Sequence, residues 1–128
     1  MRPQTLVVED DAKTREALRD ILEDDGYDVD VAADGEQALE ALARSSYDCI
    51  VLDIVLPKVS GMDVMDVLRE RAPNQLRHII VVTGLNIEEI RTIFPNVCFA
   101  LGKPVMPSRL LSCVRTCLRP PHAQMVSG

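Results

Sequence analysis

Ile50-Val51-Leu52-Asp53-Ile54-Val55-Leu56-Pro57 places one carboxylate among seven uncharged residues. The apolar run that begins at Cys49 is long enough for a strand, and a proline four residues past the acid forbids its continuation. The stretch therefore reads as a buried strand giving way to a loop, with Asp53 at the junction. Burying a bare carboxylate is costly, so an acid at this place needs either a turn to cap or partners that compensate its charge. Deciding between the two depends on what the other strands deliver to the same place.

Working outward, Thr5 to Val8 is a short apolar strand that runs into Glu9-Asp10-Asp11. The helix after it carries Ala17, Leu18, Ile21 and Leu22 on one face and stops at Gly26. Tyr27 to Ala33 alternates Val29 and Val31 with Asp28 and Asp30, the pattern of a half-exposed strand near a sheet edge. Asp34 with Gln37 predicts a capping box at the head of a helix through Ala38, Leu39 and Leu42. Beyond Asp53, a loop through Ser60 and Gly61 opens a helix bearing Met65, Val67 and Leu68, which Pro73 ends.

Residues 78–82 are the most apolar strand and stop at Thr83-Gly84. A short helix capped by Asn86 carries Ile87, Ile90 and Phe94, and Pro95 cuts it off. Val97 to Leu101 is a fifth strand leading into Gly102-Lys103-Pro104. The last helix starts near Pro107-Ser108 and buries Leu110, Leu111, Val114, Cys117 and Leu118 before Pro120-Pro121. Five strands alternating with five helices call for a parallel sheet covered on both faces and wound by right-handed crossovers. The nearly continuous apolar strands fit, because strands covered on both faces do not alternate.

The bulk composition sets limits on function. A chain of 128 residues, 47% hydrophobic and 27% charged, is one globular domain with a single good core. Its 20 acidic and 14 basic residues give a net charge of −6, which argues against direct nucleic-acid binding. No run has the length of a membrane span, and residues 1–8 lack the apolar core of a signal peptide, so a cytoplasmic location is the default expectation and no membrane partner is expected. The four cysteines form no CxxC or zinc-like cluster. Cys49 and Cys98 lie in apolar runs, and Cys113 and Cys117 share a helix face without a nearby His. All four are expected to pack in the core, in keeping with a reducing compartment. His78 and His122 have no acid or cysteine at ligand spacing and read as surface residues.

In a parallel sheet all strands point one way, so the residues just past them share an edge. Glu9 and Asp10, Asp53, Thr83 and Lys103 all arrive there. The carboxyl edge at a change of strand order is where open α/β sheets bind ligands. Packed carboxylates repel unless neutralised, and a hard divalent cation such as Mg²⁺ prefers oxygen ligands of this kind. With the charge neutralised, Asp53 is suited to attack phosphorus while Lys103 and Thr83 hold phosphoryl oxygens, since phosphoryl transfer demands mostly positioning and charge compensation. Each residue alone also has a structural reading, Asp11 above all as the cap of the first helix. The joint pattern carries the functional one.

Val7-Val8-Glu9-Asp10-Asp11, Leu52-Asp53 through Pro57 with Gly61, Val82-Thr83-Gly84 and Lys103-Pro104 resemble, in this order, the receiver domain of bacterial two-component response regulators. The resemblance covers residues 5–119. It implies a flavodoxin-like doubly wound five-stranded sheet of order 2-1-3-4-5 and a receiver domain over 1–119, while Pro120-Pro121 and the residues after them read as a flexible C-terminal tail over 120–128. It further implies phosphorylation of Asp53 by a histidine kinase or phosphotransfer protein, with Mg²⁺ held by Asp10, Asp53, Glu9 (partly through water) and the main-chain carbonyl of Val55. Thr83 corresponds to the switch hydroxyl and Lys103 to the salt-bridge partner of the acid, often before a cis proline. Such a domain is a phosphoacceptor regulator that assists its own phosphorylation and dephosphorylation, acting on an output partner that the sequence does not name.

Two positions depart from the family pattern. Ala100 stands where receivers usually carry Tyr or Phe, with Phe99 on the opposite strand face. The segment between Thr83 and Pro95 holds only about two helical turns. These departures motivate an alternative, a receiver-fold interaction module that works without phosphate. A phosphatase with an Asp nucleophile fits less well, since Val55 occupies the place of its usual second acid, and no P-loop string is present. No output module has room after Pro120, which makes the chain either a single-domain regulator or a piece of a longer one.

Overall fold

The computed structural model describes residues 2–118. Five strands, β1 (Gln4–Val8), β2 (Asp28–Ala32), β3 (Cys49–Asp53), β4 (Ile79–Thr83) and β5 (Phe99–Gly102), alternate with α1 (Ala12–Asp24), α2 (Gly35–Arg44), α3 (Gly61–Arg71), α4 (Ile87–Ile93) and α5 (Pro107–Leu118). The strands form one parallel sheet of order β2-β1-β3-β4-β5. This is the flavodoxin-like order expected from the resemblance. A 3₁₀ turn at Pro73–His78, which the sequence reading did not anticipate, joins α3 to β4. The tail expected at 120–128, with His122 in it, lies outside the described residues, and so does Arg119.

Side chains of each strand alternate between two cores. Leu6, Val8, Ile50, Leu52, Ile79 and Val81 face α2, α3 and α4 and meet Ala38, Met65, Leu68, Ile90 and Phe94. Val7, Val51, Ile80, Val82 and Leu101 face α1 and α5 and meet Leu22, Leu110, Cys113 and Val114. All five positions of β3 and of β4 are buried, as central parallel strands require, whereas the β2 edge keeps Asp28 and Asp30 in solvent. Burying a side chain of the size of Phe94 or Leu22 stabilises the fold by about 1.5–3 kcal/mol each.

Local signals explain the helix starts. Asp11 accepts the amide of Thr14 and caps α1, as expected. Asp34 accepts the amide of Gln37, but the Gln37 side chain bonds the Ala33 amide rather than that of Asp34, so the box is displaced by one residue. A complete capping box occurs instead at Ser60 and Asp63, where α3 begins. Gly26, at φ +97°, supplies the left-handed turn after α1. Among the described residues no helix is long and apolar enough to cross a membrane.

The cysteine expectation needs correction. Cys49 and Cys113 are buried free thiols, as expected. Cys98 and Cys117 instead form a disulfide with Cα atoms 6.1 Å apart. Strand β5 starts at Phe99, not Val97, so Cys98 is left in the preceding bend. There it meets the last turn of α5, a neighbour that linear spacing does not reveal. His78 is half-buried, with Nδ1 3.1 Å from the Asp48 carbonyl oxygen.

Candidate functional site

The parallel register brings the strand ends level. Val8 pairs with Leu52, Asp53 with Val82, and Thr83 with Gly102, so Glu9, Asp53, Thr83 and Lys103 emerge side by side. Because β1 lies between β2 and β3, the connections from β1 and β3 depart to opposite faces of the sheet, which opens a crevice at their carboxyl ends.

Asp53 and Glu9 are 4% and 3% exposed, so both carboxylates need compensation. Lys103 supplies it by donating from Nζ to Asp53 Oδ2 at 2.6 Å and to Glu9 Oε1 at 3.0 Å. The other Asp53 oxygen, Oδ1, accepts the Val55 amide at 3.0 Å. Glu9, Asp10 and Asp53 each bring a carboxylate oxygen within 4.8 Å of the others, and Asp10 is exposed. Two buried carboxylates thus share one ammonium, with the exposed Asp10 carboxylate beside them. Burial raises the Glu9 pKa, Lys103 opposes the rise, and neighbouring Asp53 adds to it. Partial burial works against the Lys103 charge, but its bonds to Asp53 and Glu9 prevail and hold the ammonium above the ordinary lysine range. The lysine stays charged throughout the physiological range.

The loops are built to keep this geometry. Gly61 sits where a Cβ would run into the backbone of Asp53 and Ile54, and its amide bonds the Ile54 carbonyl at 2.9 Å. Any side chain there pushes the Asp53 loop aside. Lys103 precedes a cis proline, as the resemblance implied, and its amide bonds the Thr83 carbonyl at 2.9 Å. Arg15, which the sequence reading passed over, reaches from the first turn of α1 to the carbonyls of Glu9 and Asp10 at 3.0 and 3.3 Å. It ties down the loop that carries the acids. A basic residue five positions past a strand-end acid was the available signal.

Thr83 is fully buried, and its hydroxyl accepts the Leu85 amide at 3.0 Å, so it closes its own turn. Ala100 is 3% exposed and faces α4, whose Arg91 approaches the Ala100 carbonyl at 3.5 Å. Phe99 faces the α1–α5 side, beneath the Arg109 guanidinium, as strand alternation requires. Val55 is exposed on the loop after β3. Of the expected site residues, Glu9, Asp10, Asp53, Val55 and Lys103 come together. Thr83, whose carbonyl accepts the Lys103 amide, and Ala100 lie on the neighbouring strands with no side-chain hydrogen bond to the cluster. Below the cluster a cavity of about 480 Å³ runs between the sheet, α1 and α5, lined by Leu18, Val51, Val82, Val105 and Leu110.

The arrangement can bind a hard cation through oxygen, present a carboxylate to an electrophile, and hold an anion on a fixed ammonium. A family model for the response regulator receiver domain matches residues 5–115. The response regulator MprA of Mycobacterium leprae is 33% identical over 114 residues, covering 89% of this chain and 50% of that protein. The transcriptional regulatory protein DltR of Streptococcus agalactiae is 48% identical over 65 residues, 51% of this chain and 29% of its own length. The chain thus spans about half the length, or less, of these curated relatives. The receiver domain of Francisella response regulator 1452 superposes with a TM-score of 0.82 at 28% identity, over 91% of this chain and 97% of that one. Response regulator TrrA of Thermotoga maritima, solved in complex with Mg²⁺-BeF, gives 0.80 at 29% identity, over 92% and 100%. This chain belongs to the response regulator receiver domain family, the signalling modules of two-component phosphorelays.

Proposed function

We propose that Asp53 accepts a phosphoryl group from the phosphohistidine of a histidine kinase or phosphotransfer protein, and that the change switches binding to an output partner. The observation that carries this reading is the shared lysine: Nζ contacts Asp53 at 2.6 Å and Glu9 at 3.0 Å. Glu9 and Asp53 on one ammonium, with the Asp10 carboxylate beside them, leave a net negative site with oxygen donors at cation-binding spacing. Glu9, Asp10, Asp53 and the Val55 carbonyl would hold Mg²⁺, which when bound supplies charge neutralisation between Asp53 and the phosphoryl oxygens. TrrA, crystallised with Mg²⁺-BeF, supports the assignment by analogy.

In the transfer, an Asp53 oxygen forms a bond to phosphorus as the donor's N–P bond breaks, and the electron pair leaves with the imidazole. Lys103 holds the negative charge that builds on the phosphoryl oxygens, and its raised pKa keeps it protonated throughout. The Val55 amide fixes the carboxylate's orientation. Thr83 donates its hydroxyl proton, which the Leu85 bond leaves free, to a phosphoryl oxygen, and its turn toward that oxygen moves the loop between β4 and α4. With Ala100 in place of a ring, that motion passes to α4 without displacing a side chain on β5. The same residues then assist hydrolysis of the acyl phosphate, so the domain is a self-resetting regulator and not an enzyme acting on a separate substrate.

Incubation with acetyl phosphate and Mg²⁺ tests the reading. A single acid-stable, base-labile phosphoryl adduct on Asp53 is expected, absent in Asp53→Asn. A wild-type protein that stays unmodified overturns it. If Asp53→Asn leaves partner affinity unchanged, output is independent of phosphate.

A further inference from the structure

The Cys98–Cys117 bond lies away from the phosphoacceptor cluster, at the amino end of β5. Cys98 stands one residue before β5, and Cys117 lies in the last turn of α5. Their Cα separation of 6.1 Å is within the usual span of a disulfide, and both residues are only half-buried, within reach of a small thiol. Cys113 is one turn back on the same helix, but it and Cys49 are buried in the core. Burial raises the pKa of both, which keeps them as inert thiols. Four cysteines thus yield one reachable pair.

The rest of α5 is fixed by other means. Leu110, Cys113 and Val114 are buried. Arg109 lies over the Phe99 ring at 5.7 Å, and Arg115 makes two bonds to Asp25 at 3.0 and 2.6 Å. In the final turn, from which the chain continues beyond Leu118, the disulfide is the covalent tie to β5, added to the packing of Leu118 against the core and the Arg115–Asp25 pair.

We propose that Cys98 and Cys117 are a reversible dithiol–disulfide couple that fastens the last turn of α5 to the start of β5 when oxidised and frees it when reduced. It gives the receiver a redox input separate from Asp53 and does not depend on the phosphorylation reading. Closure by a small-molecule disulfide is balanced. One cysteine thiolate attacks a donor sulfur and expels a thiolate, and the second cysteine then attacks the mixed disulfide and expels the other. The protein loses two electrons and two protons, and the donor leaves as two thiols.

The test uses the whole wild-type chain in two states, treated with dithiothreitol or with oxidised glutathione. Alkylation in denaturant should label four cysteines in the reduced form and two in the oxidised form, with a linked Cys98–Cys117 peptide after digestion. Amide hydrogen exchange at residues 116–118 should be about tenfold faster in the reduced form while β3 is unchanged. Cys98→Ser and Cys117→Ser should each behave as reduced under both treatments. Four labelled cysteines after oxidation, a bond joining any other pair or two molecules, or equal exchange at 116–118 in both wild-type states would each overturn the proposal. Because wild type is read in both states, a variant that fails to fold leaves the decision intact.

Discussion

The two edges of the sheet treat polar groups in opposite ways. At the amino edge they pair off. Asp48 accepts the Gln4 amide at 2.8 Å, Asp28 accepts the Gln4 side chain at 2.9 Å and Asp25 holds Arg115, and next to that edge, midway along β2, Tyr47 donates to Asp30 at 2.6 Å. At the carboxyl edge Glu9, Asp10 and Asp53 converge, and among the described residues Lys103 is the one cation in salt-bridge reach of Glu9 and Asp53. Like charges within 4.8 Å repel by on the order of 1 kcal/mol even in water-like surroundings, and more as water is excluded. A strand-end acid is therefore not functional by position alone. The functional edge is the one whose charges the fold leaves unbalanced.

Removing the one cation should break the contrast most strongly. Lys103→Met leaves two buried carboxylates facing each other, so phosphorylation of Asp53 by acetyl phosphate should slow on the order of a hundredfold, because a fixed positive charge at the transferring group is lost. The same variant should be less stable without Mg²⁺ and regain stability on its addition, since an uncompensated buried charge is costly. Adduct formation by mass spectrometry and thermal midpoints at 0 and 10 mM Mg²⁺ would measure both (concentrations on the order usual for weak sites). Equal midpoint shifts in wild type and variant would mean that the acids do not share one cation site.

Matched deletions of an acid at each edge give a smaller and sharper test. Asp48→Ala removes the acceptor of an exposed backbone amide, which water then takes over, and should cost about 0.5 kcal/mol in denaturant unfolding, with Mg²⁺ affinity unchanged. Asp10→Ala loses no hydrogen bond and relieves repulsion, so the metal-free protein should be equally or slightly more stable. Its Mg²⁺ affinity should fall on the order of tenfold, as expected for one lost carboxylate ligand. If both variants lose stability alike, Asp10 is structural and the asymmetry between the edges is wrong.

Most of this asymmetry is legible in the sequence, because parallel topology converts linear order into adjacency. Apolar runs ending in Glu9, Asp53 and Thr83, with Lys103 just past the last strand, are enough to predict one edge with three acids and one amine. The order 2-1-3-4-5 came from the family resemblance, since alternation of strands and helices does not encode it. Tertiary pairing across long separations was not legible. Cys98 and Cys117 are 19 residues apart and meet because α5 folds back along β5. Arg15 was missed because its contacts are to main-chain carbonyls, so its spacing from the strand-end acids was the one signal it left. The 3₁₀ turn at Pro73–His78 hid behind a proline that marks a helix end equally well. Nor could spacing show that Thr83 closes its own turn on Leu85.

The paired edge also makes a prediction in pH, the smallest of the set. Burial, with Asp30 beside the phenol, pushes the Tyr47 pKa up to about 12, against an ordinary value near 10. A group whose folded pKa is raised contributes stability that is fully present below the unfolded pKa and is lost as pH climbs through the folded one. Tyr47→Phe removes both the hydrogen bond to Asp30 and the proton. Near neutral pH the variant should be about 1 kcal/mol less stable. Between pH 10 and 12 wild type loses on the order of 1 kcal/mol that the variant cannot lose, so the gap should close. Urea unfolding of both proteins at pH 8 and pH 11 reads the difference, with the other titrating groups common to the two. A gap that stays constant would place Tyr47 outside the pairing pattern of its edge. Closure would confirm that this edge is balanced at physiological pH and loses its balance only far above it.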